Sequence, residues 1–205
     1  MSFSKEVLRK IEQLRSRDAA LELFGASTHR YKFNPPLQPE QVAAFEASHA
    51  VRLPEDYRDF ILHVGNGGAG PCYGIYPLRL EGNIHPGMTL RNPIDLSIPF
   101  PHGDSWEADW IDQIDWEAGE RPDDSRIEEY LDTRHIAGTV CMCHRGCGDF
   151  WLLVVKGNEH GHVWMDGRGN FSGIFPESAA RGERLTFSQW YLDWLNDCLK
   201  EAGDG

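Results

Sequence analysis

The chain has 205 residues, with 32 Asp and Glu against 20 Lys and Arg, and a formal net charge of −12. This length suits one domain, and a content of 40% hydrophobic and 11% aromatic residues excludes a disordered chain. The longest apolar run, 150–155, is far below the roughly 20 residues of a membrane-spanning helix, and the N-terminus lacks the apolar core of a signal peptide. Five cysteines in such a chain favour reduced thiols. Composition therefore predicts a cytoplasmic protein with no membrane partner.

The first third of the chain predicts three helices. Residues 4–24 carry an apolar stripe and a basic outer face, and Gly25 is expected to end this helix. A solvated surface is the commoner role of such a basic face, so no nucleic-acid partner is expected. We interpret residues 1–30 as an N-terminal helical extension, and a second helix is predicted to begin near Pro39.

The stretch 53–68 predicts the central helix of the fold. Pro54 suits the first helical position, because its missing amide hydrogen would be unpaired there. One face of this helix should be buried, and Gly65 should end it in a left-handed conformation. The predicted buried residues are Tyr57, Phe60, Ile61 and Val64.

The middle of the chain changes character. Residues 73–78 have the composition of a short strand, and residues 82–103 read as irregular loop. Residues 104–132 hold twelve acids and two bases, so this segment carries −10 of the net charge and leaves 20 acids and 18 bases elsewhere. We therefore interpret 82–132 as a loop-rich acidic insertion in an otherwise nearly neutral chain.

Three tryptophans lie among these acids. The spacing of Trp106, Trp110 and Ile114 predicts an apolar stripe on an acidic helix. Such a stripe either docks on the protein's own sheet, with the acids solvating the outside, or forms part of an interface with a basic protein. The candidate partner-binding residues are Trp106, Glu107, Asp109, Trp110, Asp112, Asp115 and Trp116.

The last third predicts a sheet and a closing helix. Residues 139–144, 149–156 and 162–166 are strand-like, and the connections of four and five residues between them favour antiparallel hairpins. The middle run is apolar without alternation, which predicts a central strand covered on both faces. Thr186 and Gln189 form a candidate capping box before an amphipathic helix. The predicted class is α+β.

One cluster offers catalytic or metal-binding chemistry. Zinc takes four sulfur or imidazole ligands, and four such side chains fall within seven residues: Cys141, Cys143, His144 and Cys147. Strand alternation should place the first two thiols on one face and the imidazole on the other, so the sequence predicts no metal site. A Cys147 nucleophile activated by His144 is the catalytic alternative, but no third residue to orient the base is evident. We expect no cofactor and no enzyme activity.

Four stretches resemble one known family in the same order. The stretches 53–68, 143–155, 161–168 and 187–195 are similar to the SUKH superfamily, specifically its Smi/Knr-like branch of cell-wall regulators and bacterial immunity proteins. The resemblance implies a SUKH-like single domain over 1–205 with a non-catalytic binding function. It implies an immunity protein that neutralises a cognate toxin, often a nuclease, or an intracellular regulatory adaptor. A basic toxin as partner also fits the acidic segment, while a metal protein or enzyme built on the cysteine cluster is the alternative from a different class.

Overall fold

A computed structural model describes residues 2–81 and 93–203, and part of the predicted 82–103 loop lies outside these ranges. It contains α-helices and an antiparallel sheet, which confirms the α+β class. The helices are α1 (Phe3–Arg17), α2 (Ala26–His29), α3 (Pro39–His49), α4 (Glu55–His63), α5 (Asp124–Tyr130) and α6 (Phe187–Glu201). The strands are β1 (Thr139–Gly146), β2 (Asp149–Val154), β3 (Val163–Asp166) and β4 (Ile174–Pro176). None of the helices in the described ranges has the length and apolar character to cross a bilayer.

The sheet has the strand order β1-β2-β3-β4, and every pairing is antiparallel. The predicted meander is therefore confirmed, and a short fourth strand extends it. β2 lies inside the sheet and is buried from Phe150 onward, as its unbroken apolar run predicts. The turn between β1 and β2 is tighter than the expected four-residue connection: only Cys147 and Gly148 separate the strands, and both have positive φ.

The central helix α4 buries the predicted stripe. Phe60 is 0% exposed, and its ring lies 5.3 Å from that of Phe187 and 5.0 Å from that of Tyr191. Both of these residues belong to α6, so the two helices share one aromatic core. Two details of the prediction were wrong: Pro54 is the N-cap and not the first helical residue, and the left-handed glycines after the helix are Gly67 and Gly68, since Gly65 does not have positive φ.

The capping box before α6 is confirmed. The Thr186 side chain accepts from the Gln189 amide, and the Gln189 side chain accepts from the Thr186 amide at 3.0 Å. The Ser188 amide donates to the Asp56 carboxylate at 2.8 Å, so the start of α6 is joined to the start of α4. These contacts satisfy amides that a helix start leaves unpaired.

The N-terminal helix ends earlier than predicted, at Arg17. Asp18 follows, and its carboxylate accepts hydrogen bonds from the Glu22 and Leu23 amides, which favours a turn over further helix. Gly25 does not end a helix but precedes α2, with φ of +80°. α1 buries Val7, Ile11 and Leu14 in the same core as α4 and α6.

The predicted strand at 73–78 does not form. Ile75 makes one isolated bridge with Gly68, and the Tyr76 amide donates to the Met142 carbonyl at 2.6 Å. Pro77 then has no amide hydrogen with which to continue the pairing. The segment therefore lies beside β1 without becoming a strand.

Candidate partner-binding surface

Residues 104–132, the acidic segment, are not helical around their first two tryptophans. The predicted helix through Trp106, Trp110 and Ile114 was wrong. Trp106 forms an antiparallel bridge with Ile174 in β4, with amide-to-carbonyl distances of 2.8 Å in both directions. A single 3-10 turn follows at Ile111–Gln113. The four-residue spacing of Trp106, Trp110 and Ile114 is compatible with a helix. The backbone of Trp106 instead forms hydrogen bonds with Ile174 at the edge of the sheet.

Hydrogen bonds from one arginine hold the start of the acidic segment in place. Arg184 donates to the carbonyl of Gly103 and, at 3.2 Å, to the carboxylate of Asp104. The same guanidinium pairs with Glu159 and lies over the ring of Trp164, 5.4 Å from its centroid. The segment thus begins against the β2–β3 connection and β3.

A second arginine fastens the other end. Arg168 is 4% exposed and donates to both carboxylate oxygens of Asp166 at 2.8 Å. Its Nη1 also donates to the carbonyls of Tyr130 at 2.9 Å and Asp132 at 3.0 Å, at the end of α5. The buried charge is therefore paired, and its remaining donors hold main-chain groups, which is the arrangement a desolvated ion pair requires.

The side chains of His102, Trp106, Tyr130 and His135 stack together on the inner side of the acidic segment, and we call them the aromatic layer. The Trp106 ring stacks on His135 at 4.2 Å, on His102 at 5.2 Å and on Tyr130 at 5.5 Å. The Tyr130 hydroxyl accepts from the Gly173 amide at 2.9 Å, next to β4. Stacked rings with satisfied polar atoms give this layer a defined geometry.

The two histidines of this layer are held in the neutral form. Burial lowers the pKa of His102 to about 4, against the hydrogen bond to the His135 carbonyl, and the positive charge of Arg168 acts in the same direction as burial. Burial also lowers the pKa of His135, again helped by Arg168. His102 Nε2 donates to the His135 carbonyl at 3.0 Å. Neutral imidazoles stack on Trp106 without the desolvation cost of a buried cation.

The three tryptophans of the acidic segment differ in how much of each side chain is buried. Trp106 and Trp110 are half-buried, and Trp110 presents an edge to Tyr130 at 5.6 Å. Trp116 is 45% exposed and rests on Phe171 at 5.0 Å. Only the last of the three therefore offers much of its ring to another molecule.

The four candidate carboxylates are all exposed, and they are Glu107, Asp109, Asp112 and Asp115. None of them forms an ion pair with a cation in the described ranges. Partial burial raises the pKa of Glu107, and the nearby charge of Asp112 adds to that shift. Further along, Asp123 pairs with Arg126 at 3.5 Å and Glu129 with Arg134 at 2.9 Å. The uncompensated negative charge is thus concentrated around 107–120.

Sequence reasoning gave no role to Arg168 or Phe171. The motif 161–168 contains Asp166 and Arg168 two residues apart, but that spacing alone does not show that the pair is buried or that it reaches α5. Phe171 has a φ of +56°, at the end of a 3-10 turn, and this conformation brings its ring under Trp116. A bulky residue with positive φ gives no sequence signal.

The cysteine cluster differs from its predicted geometry. In the antiparallel pairing of β1 with β2, Cys141 lies opposite Leu152 and Cys143 lies opposite Trp151. Met142 is therefore the extra residue of a β-bulge. Leu152 and Trp151 are consecutive and face opposite sides of the sheet, so the two thiols also lie on opposite faces and not on one. His144 pairs with Phe150, and its Nε2 accepts from the Gly148 amide at 3.3 Å. In the part of the chain that is described, no three His, Cys, Asp or Glu side chains are grouped as metal ligands would be.

Comparison with known proteins identifies one family. No curated protein and no solved structure matches the chain. The model of the SMI1 / KNR4 family (SUKH-1) matches residues 36–178, which is 143 of 205 positions, or about 70%. The match includes α3, α4, the whole acidic segment and all four strands. The chain belongs to the SMI1 / KNR4 family (SUKH-1).

Proposed function

We propose that this protein is a non-catalytic binding protein of the cytoplasm: an immunity protein that neutralises a cognate basic bacterial toxin, of which a nuclease is the best-fitting kind. Membership of the SMI1 / KNR4 family is consistent with such a role. A nuclease binds nucleic acid through a positive cleft, and a surface that blocks the cleft must match that charge.

The observation that carries this proposal is a fixed, uncompensated acidic surface around one exposed tryptophan. Arg184 and Arg168 hold the two ends of the acidic segment, so its shape is set before a partner arrives. A preorganised surface loses less conformational entropy when it binds. Between those ends the carboxylates of 107–120 have no cation from the described residues to neutralise them.

The predicted residues then divide into three roles. The exposed carboxylates of Glu107, Asp109, Asp112 and Asp115 steer a basic partner toward the surface. Trp116 supplies the anchor, because exposed aromatic rings that become buried dominate interface energies. Trp106 and Trp110 support the surface from beneath, Trp106 by stacking on Tyr130 and Trp110 through an edge-to-face contact with the same ring.

The test uses the toxin domain itself. The proposal predicts that a secreted toxin is encoded beside the gene of this chain, and the probe is the C-terminal domain of that toxin, made inactive in its own active site. Binding is measured by surface plasmon resonance at several salt concentrations. Replacing Asp109, Asp112 and Asp115 with Asn should slow association and flatten its salt dependence, because exposed charges act through a field screened over about 8 Å at physiological ionic strength.

A matched control separates position from total charge. Glu40→Gln, Asp193→Asn and Asp197→Asn remove the same number of exposed charges from α3 and α6. This control should leave association close to that of the wild type. Trp116→Ala should mainly speed dissociation, with a loss of about 2 kcal/mol or more for a hot spot. No binding of the toxin domain to the wild-type protein would overturn the proposed function, and equal effects of the two triple variants would overturn the placement.

A further inference from the structure

The exposed aromatic side chains of this protein are not scattered. Six large hydrophobic residues are exposed in the described part of the chain, and three of them are aromatic: Phe24, Tyr73 and Trp116. Phe24 is 66% exposed, and Tyr73 and Trp116 are each 45% exposed. Single exposed apolar residues are ordinary, but exposed apolar residues that adjoin one another mark interaction sites.

A series of ring contacts and hydrogen bonds connects Phe24 and Tyr73 with Trp116 through the β1–β2 turn. Phe24 meets Tyr73 at 5.6 Å, and Tyr73 stacks on His144 at 5.9 Å. His144 accepts from the amide of Gly148 in the β1–β2 turn. We call this surface, from Phe24 and Tyr73 through His144 and Cys147 to Phe171 and Trp116, the aromatic strip.

The second half of the aromatic strip crosses from the turn to the acidic segment. Asn170 donates to the Cys147 carbonyl at 2.7 Å and to the Asp149 carboxylate at 2.8 Å. Phe171 follows directly, and Trp116 rests on it at 5.0 Å. Trp116 thus belongs both to the acidic surface and to one end of the strip.

The backbone of the turn supports a fixed surface. Gly146, Cys147 and Gly148 all have positive φ, which produces a tight hairpin end. Gly148 lies so close to Gly169 that a Cβ on Gly169 would be 2.7 Å from the Gly148 carbonyl oxygen. Close backbone contact and the Asn170 hydrogen bonds therefore hold the two halves of the strip together.

Charge along the aromatic strip is uneven. The Trp116 end adjoins the uncompensated carboxylates of 107–120. In the middle, Arg145 lies 3.9 Å from Asp149, so its charge is locally balanced. A basic protein seated on the acidic segment would therefore meet an apolar surface, without strong repulsion, as it extends toward Tyr73 and Phe24.

We propose that the toxin of the proposed function also covers this aromatic strip, so that the interface has an acidic end at 107–120 and an apolar end at Phe24 and Tyr73. This inference rests on the proposed function and extends it to two further residues and to the β1–β2 turn. The partner should present basic side chains to the first end and an apolar group to the second. The acidic end controls the rate of association, and the apolar end controls the lifetime of the complex.

The first test compares two double variants in binding to the same inactive toxin domain. Phe24→Ser with Tyr73→Ser should weaken the affinity by about 30-fold or more, the size of a hot-spot loss, with faster dissociation and an unchanged salt dependence. The control is Leu8→Ser with Ile98→Ser, which removes two side chains of similar exposure. Ile98 lies beside Gly138 and Lys156, at the opposite end of the β1–β2 hairpin, and this control should bind like the wild type.

The second test needs no substitution, because Cys147 is an exposed thiol in the middle of the strip. Alkylation of Cys147 by iodoacetamide, followed by peptide mass spectrometry, should slow by at least about tenfold in the complex if the strip is covered. Binding of the toxin domain with no change at Cys147 and no effect of the Phe24 and Tyr73 substitutions would overturn this inference and leave the proposed function standing. Absence of binding by the wild-type protein would overturn both.

Discussion

Arg168 donates a hydrogen bond from Nη1 to the main-chain carbonyl of Tyr130 at 2.9 Å, while its other nitrogens hold the carboxylate of Asp166. A buried ion pair in the turn after β3 therefore fixes the end of α5, 38 residues earlier in the chain. Stability of the fold and order of the acidic segment depend on the same guanidinium.

Replacing Arg168 with Ala should therefore be strongly destabilising. Asp166 is 5% exposed and would become a buried charge without a partner, at a cost of about 3–5 kcal/mol. Urea unfolding measures the change in the free energy of unfolding. Arg134→Ala is the control, since its pair with Glu129 is exposed and contributes less than about 1 kcal/mol. Equal midpoints for the two variants would show that the buried pair does not stabilise the fold.

Trp106 and Trp116 should respond differently to truncation. Trp106→Ala removes the ring that stacks on His102, His135 and Tyr130, and should lower the free energy of unfolding by at least about 2 kcal/mol. Trp116→Ala should change it by less than about 1 kcal/mol, because that ring is largely exposed. Thermal melts followed by circular dichroism compare the two. A large loss from Trp116→Ala alone would identify that ring as structural and remove it as an interface anchor.

Truncating the central aromatic residue of α4 should also destabilise the fold. Phe60→Ala leaves a cavity between α4 and α6, and should cost about 3–5 kcal/mol. Phe24→Ala removes an exposed ring and is the matched control. An unchanged melting temperature for Phe60→Ala would contradict the central position assigned to this helix.

Stability should fall as the solution is acidified. Burial lowers the pKa of both His29 and His102 from 6.5 in the unfolded chain to about 4 in the folded protein. The unfolded chain then binds protons that the folded protein does not, so the stability contributed by the two neutral histidines is present above pH 6.5 and is lost progressively between pH 6.5 and pH 4.

A variant isolates the contribution of one histidine. His102→Phe keeps a ring beside Trp106 but removes the titrating group, so its urea midpoint should depend less on pH than that of the wild type over this window. Carboxylates titrate near the lower end of the same window in both proteins. The informative quantity is therefore the difference between the wild type and His102→Phe in the pH dependence of the urea midpoint. Identical slopes would show that His102 does not contribute to the acid sensitivity.

Purified protein is expected to contain no stoichiometric zinc. The bulge at Met142 directs Cys141 and Cys143 to opposite faces of the sheet, and burial raises the pKa of both thiols, which disfavours the thiolate that zinc binds. Metal analysis after gentle purification checks this expectation. About one zinc per chain, lost together with folding in Cys143→Ser, would falsify it and favour the metal-protein alternative.

The parts of this fold that could be predicted from sequence are those in which local chemistry and tertiary packing agree. Phe60 belongs to a stripe with a helical period, and Thr186 with Gln189 forms a capping box, so both helices could be recognised from neighbouring residues alone. The unbroken apolar run of β2 likewise predicted its central place in the sheet.

The candidate site was less predictable because distant residues determine it. Trp106 has helical spacing to Trp110, but its backbone pairs with Ile174, which lies 68 residues further along the chain. The bulge at Met142 arises from pairing with β2, and no residue type near it specifies one. The acids could be counted from the sequence, whereas the two arginines that hold the segment reach across 38 and 80 residues. The stacking contacts of Trp106 with Tyr130 and His135 span 24 and 29 residues.

The attachment of the acidic segment at its end is made through main-chain carbonyls, those of Tyr130 and Asp132. Every residue type supplies a carbonyl, so this attachment sets no requirement on the side chains displayed between 107 and 120. The exposed side chains of the segment can therefore vary while the fold that holds its end stays the same. A loop of the same length with a different charge pattern, transplanted between residues 106 and 121 but keeping Trp110 and the buried Ile111, would keep its anchor while acquiring a new specificity.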